Sequence, residues 1–93
     1  PAPAPDALRA PLDAILRLDG AIGAAVADIE TGLTIAAAGG SSEINVEVAA
    51  ASNSAFVRTK RDLLRKLEID DTLEDIVVIL TTQIHILRPL PNQ

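Results

Sequence analysis

The chain has 93 residues, one domain's worth, and its 13 acids against 8 bases leave a net charge of −5. An acidic balance excludes general nucleic-acid affinity, because neutralising phosphates takes an excess of Lys and Arg. With no cysteine there is no disulfide scaffold and no zinc–thiolate site, which suits a reducing, cytoplasmic setting. Apolar residues reach 48%, yet Phe56 is the one aromatic and Met, Trp and Tyr are absent, so any interior must be built from Ile, Leu, Val and Ala. No apolar run approaches the ~20 residues of a membrane span, and Pro-Ala-Pro-Ala-Pro offers no basic start to a signal peptide. Neither a membrane nor secretion is expected. A short chain this apolar has more oily surface than it can hide alone, so self-association is expected.

Residues 1–7 are expected to form a flexible Pro/Ala leader, with 8–93 as the single domain. Leu8, Leu12, Ile15, Leu16 and Leu18 have helical spacing, with Pro11 placed in the first turn, where a missing N–H does little harm. Asp19-Gly20 ends this helix. Ala21–Ile29 is a strand rich in small residues, Glu30-Thr31-Gly32 a turn with Gly32 in the left-handed position, and Leu33–Ala38 the returning strand. A loop, Gly39-Gly40-Ser41-Ser42, follows. Asn45 is the expected N-cap of a long helix over 46–67. Glu43 and Glu47 lie near its positive end, and Arg58, Arg61, Arg65 and Lys66 toward its negative end. Leu73–Leu80 contains the continuous Ile-Val-Val-Ile-Leu run of a strand buried on both faces. Thr81-Thr82-Gln83 turns the chain into Ile84–Leu87, and Pro89 and Pro91 end the hairpin. The order is α-β-β-α-β-β, an α/β (α+β) chain with mainly antiparallel pairing.

The long helix is the informative element. At about 100° per residue, Ala49, Phe56, Leu63 and Leu67 form one stripe. Val46, Ala50, Val57 and Leu64 form a second, about 80° round. Glu47, Ser54, Arg58, Arg61, Asp62 and Arg65 fill the far side. A helix lying on its own sheet needs a single stripe of roughly 100°, so one stripe is assigned to the sheet and the other to a second copy. The expected dimer interface is Val46, Ala50, Asn53, Val57, Lys60 and Leu64. Asn53 and Lys60 lie between the stripes: either they hydrogen-bond across the seam and fix its register, or Lys60 snorkels its charge to water. Five of the eight bases fall in 58–66. Arg58-Asp62-Lys66 has the spacing of a solvated ion-pair ladder; Arg58, Arg61 and Arg65 are alternatively a docking patch for an acidic partner.

Signals of catalysis are thin. There is no phosphate-loop spacing, and Gly39-Gly40-Ser41-Ser42 lacks the Lys that such a loop needs. His85, the lone His, alternates with Ile84 and Ile86 and reads as a packing residue. Asp70, Asp71, Glu74 and Asp75 lack calcium-loop spacing and read as a solvated turn. Arg88 could be an arginine finger, but a single Arg beside prolines carries little weight. No catalytic, cofactor or metal residue is assigned.

The segment Gly23-Ala24-Ala25-Val26-Ala27-Asp28-Ile29-Glu30-Thr31-Gly32 resembles the first hairpin of roadblock/dynein light chain domains, bacterial ones above all. Glu47–Asn53 and Arg58-Thr59-Lys60-Arg61 resemble the start and basic middle of their central helix. Leu73–Leu80 with Gln83–Leu90 resembles their second hairpin. The likeness covers about residues 8–90. It implies a roadblock-like (profilin-like) sandwich and a non-catalytic regulatory or scaffold protein. Family members dimerise through the central helix and a sheet edge, and bacterial ones, of Mgl or conservon type, partner Ras-like small GTPases. A pure oligomerisation module, or a dynein-light-chain-like adaptor without a GTPase, is the alternative. The family pattern continues with a fifth strand between the first and fourth. No such strand follows Leu90 in this sequence, so one of three things is expected: the sequence is cut short, the sheet rearranges, or another chain fills the slot.

Overall fold

A computed structural model describes residues 5–41 and 44–90. The elements are α1 (Pro5–Leu16), β1 (Gly23–Ala27), β2 (Thr34–Gly39), α2 (Val46–Lys66), β3 (Ile76–Ile79) and β4 (Ile84–Leu87), an α+β chain in the order the sequence predicts. The first four residues of the expected leader, Ser42, Glu43 and Pro91 lie outside the described residues.

The start of α1 corrects the sequence reading. Residues 5–7, assigned to the leader, are already helical, because a Pro at the first helical position gives up an N–H that would have no partner, and Asp6 complements the positive end. Pro11 therefore sits inside the helix rather than in its first turn. The apolar spacing serves α1 as expected at Leu12, which is buried, with Leu8 and Leu16 half-buried; Ile15 and Leu18 stay exposed.

β1 and β2 pair antiparallel from Gly23↔Gly39 to Ala27↔Thr34, with a bulge opposite Val26/Ala27. Their turn is built by Asp28, whose Oδ1 accepts from the N–H groups of Glu30 (2.8 Å) and Thr31 (3.0 Å), and by Gly32 at φ 78°. Both helices pack on this hairpin. β1 is half-buried along its whole length, and its small residues permit that close approach: the Cβ position of Gly23 lies 2.8 Å from Val46 Cγ2.

α2 is closed at both ends by local chemistry. Asn45 Oδ1 accepts from Glu47 N and Val48 N, as its N-cap role predicts. At the other end Glu68 takes φ 57°. Its N–H reaches Arg65 O and that of Ile69 reaches Leu64 O, both at 3.0 Å. Those two bonds make a Schellman motif with a Glu where Gly is usual.

β3 and β4 form a second antiparallel pair, from Ile76↔Leu87 to Ile79↔Ile84. Among the described residues the two hairpins are separate two-stranded sheets with no ladder between them. The antiparallel pairing expected from sequence is thus present in two pieces. The whole is flat, 39 × 36 × 20 Å, and three apolar side chains are buried among the described residues: Leu12, Val57 and Leu87.

Candidate functional site

The two stripes of α2 exist, but they divide their work the other way round. Val57 is 5% exposed, covered by its own chain. Val46, Ala50, Asn53, Lys60 and Leu64 are half-buried around it, on the face that meets β1 and β2. The expected seam residue Val57 is therefore spent inside the single chain. Of the stripe assigned to the sheet, Ala49 is half-buried, but Phe56 is 50% exposed, and Leu63 and Leu67 are exposed beside it.

Ser54, expected on the polar far side, is buried. Its Oγ donates to Ala50 O of its own helix at 2.8 Å, so it needs no tertiary partner and can sit in an apolar face. The inward face runs through Ser54 toward Arg58 and Arg61, both half-buried.

The basic patch is only partly available. Arg58 does not join a ladder with Asp62 and Lys66. Its Nη1 donates to the Ile29 carbonyl at the end of the first hairpin, tying α2 to the sheet. Arg65 pairs instead with Asp62, three residues back, both exposed. Arg61 is half-buried.

The second hairpin carries a surface that sequence reasoning assigned to burial. Strand alternation sends Ile76, Val78, His85 and Leu87 inward, half-buried or buried. The opposite face consists of Val77, Ile79, Ile84 and Ile86, in cross-strand pairs Val77↔Ile86 and Ile79↔Ile84. These are all exposed, Ile79 to 77%. The signal in the sequence was the uninterrupted apolar run, which demands cover on both faces; within this chain only one face receives it.

Polar groups around that hairpin are satisfied locally. His85 Nε2 lies 2.9 Å from Gln83 Oε1. Asp75, just before β3, and Arg88, just after β4, pair through two hydrogen bonds. The Arg88 guanidinium holds the Asp75 carboxyl below the usual carboxylate range, and Asp75 in turn raises Arg88. Arg88, weighed as a finger, is thus engaged at home. Among the described residues no group of three or more His, Asp or Glu could hold a metal ion, and no helix is long and apolar enough to cross a membrane.

Comparison with protein-family models, with curated proteins and with solved structures finds no match.

Proposed function

We propose that this chain is a non-catalytic association module: a dimerising regulatory or scaffold protein of roadblock type that binds a Ras-like small GTPase and modulates its nucleotide cycle. The observation that supports association is the bare apolar surface. Among the described residues three buried apolar side chains stand against exposed apolar side chains on α2 and on β3–β4, and contiguous exposed apolar patches mark interaction sites. The choice of a GTPase as partner rests on the likeness of residues 8–90 to roadblock domains. The test is to measure the mass of the purified chain in solution, then GTP hydrolysis and nucleotide exchange by a Ras-like GTPase encoded beside it, with and without the chain. Altered turnover supports the proposal; no binding to the GTPase overturns its regulatory half.

A pure oligomerisation module is the second reading, favoured because the apolar surface alone accounts for it. It predicts a stable oligomer that leaves GTP turnover unchanged.

A further inference from the structure

The outer edge of β2 borders a groove whose wall is α1. Its lining is Asp6, Arg9, Leu12 and Asp13 of α1 and the four consecutive residues 35–38 of β2, around about 410 Å³. Consecutive strand residues point to opposite faces, so a groove that touches all four runs along the edge of the strand rather than over one face. β1 occupies the other edge, and among the described residues no third strand joins the pair. The Gly40 N–H donates to the Ile22 carbonyl at 2.8 Å, on the register of Gly23↔Gly39. Bonded and non-bonded pairs alternate along an antiparallel ladder, so Ala24↔Ala38 is bonded and Ala25↔Ala37 is not. Ala37 therefore turns its N–H and its C=O away from β1, toward the groove, and it is exposed.

Open edges are commonly guarded by a charge, a proline or extreme shortness. β2 spans six residues, Thr-Ile-Ala-Ala-Ala-Gly, none charged and none proline. Beyond Ile35 no side chain is larger than a methyl group, so another backbone can come close. The charge lies on the wall instead. Asp6 and Asp13 are exposed, and among the described residues neither carboxylate takes part in a hydrogen bond or an ion pair. With Arg9 as the one base, the lining is net acidic.

We propose that this groove binds an extended basic peptide segment of another protein, which adds to the free edge of β2 as a third strand beside α1 and sets a Lys or Arg against Asp6 and Asp13. In strand addition the main-chain bonds supply affinity and the side-chain contacts specificity. The site lies apart from the bare surfaces of α2 and β3–β4 and does not rest on the association reading. A second copy of the chain is a poor occupant: pairing β2 with β2 would bring up a second α1, and with it Asp6 and Asp13 against their own like charges.

The probe is a fluorescein-labelled nonapeptide of alternating valine and lysine. Its controls are a valine–glutamate counterpart and two valine–lysine forms, one N-methylated at the lysines and one at the valines. Fluorescence polarisation with the full chain should show saturable micromolar binding of the valine–lysine probe and at least tenfold weaker binding of the glutamate one. Asp13→Lys, at an exposed position, should keep the fold and reverse that order. At least one N-methylated form should lose binding, because a strand offers every second N–H to its neighbour. Ala37→Pro removes an outward N–H at an edge, where proline is tolerated, and should weaken the lysine probe at least tenfold. Circular dichroism checks both variants; should Ala37→Pro unfold, the N-methylated probes on the parent chain carry the edge test. No binding up to millimolar probe overturns the inference. So do equal affinities for the lysine and glutamate probes, an order that Asp13→Lys leaves unchanged, or full binding of both N-methylated forms. A parent dimer in sedimentation that Ala37→Pro dissolves would give the edge to a second copy and overturn it as well.

Discussion

Arg88 grips Asp75 by two parallel contacts, Nε to Oδ1 at 2.8 Å and Nη2 to Oδ2 at 3.0 Å, and so clamps the open end of the β3–β4 hairpin next to the Ile76↔Leu87 pair. Two-point Arg–carboxylate contacts have defined geometry as well as charge. Because Asp75 is held below its ordinary value mainly by its hydrogen bond from Arg88, the carboxylate form belongs to the folded hairpin. The clamp's contribution is present above the unfolded carboxyl range, near about pH 4, and is lost as pH falls through the lower folded value. The Asp75 carboxyl should titrate below the ordinary carboxylate range in an NMR pH series, and Arg88→Ala should return it to that range. Both groups are solvent-exposed, so the change in global stability should be small.

Glu68→Gly should stabilise the chain. Glu68 holds a left-handed backbone, φ 57°, that costs a non-glycine residue roughly 1–2 kcal/mol, part of which a Gly repays through its looser unfolded state. The net gain should be about 0.5–1 kcal/mol in a denaturation curve, with the two closing hydrogen bonds of α2 retained.

Asn45→Ala should cost about 1 kcal/mol, because Glu47 N and Val48 N then lose the acceptor that caps them. Asn45→Asp keeps the acceptor and should melt close to the parent.

Gly39→Ala and Gly20→Ala form a controlled pair. Both positions have positive φ, 77° and 85°. A Cβ at Gly20 meets nothing within 4 Å, whereas one at Gly39 falls 2.6 Å from the Ile22 carbonyl and 2.9 Å from Leu16 Cδ2. Gly20→Ala should cost only the backbone strain, about 1 kcal/mol. Gly39→Ala should cost well over about 2 kcal/mol, since β1, β2 and α1 must all shift. Equal melting temperatures would contradict this account of the junction.

Element order, the Asn45 cap and the limits of β4 were legible because each depends on residues adjacent in sequence: a cap oxygen two and three residues from its donors, a turn and a proline bracketing four residues. The rotation of α2 was not. Apolar-versus-polar counting puts Ser54 outside, while its hydroxyl bonds a carbonyl one turn back and lets it pack inside. The same counting treats Arg58 as solvated, although its arm reaches a carbonyl 29 residues away. With those two residues on the inward side, Val57 faces in and Phe56 faces out. The seam expected at Val46, Ala50 and Val57 followed from choosing between two stripes that periodicity alone makes equivalent. β3 is also shorter than the apolar run suggests, because β4 offers only four residues to pair with.

The uncovered face of Val77, Ile79, Ile84 and Ile86 also bears on how much of this protein a cell can hold. If partnering covers that face, the free chain is the form that displays adjacent aliphatic strand residues, the kind of surface that chaperones and proteases engage. Mass action then ties survival to supply: the folded population rises with the concentration of whatever binds it, and chains made in excess are the ones exposed to clearance. Abundance would be set by stoichiometry, with no regulator beyond the bare hairpin itself.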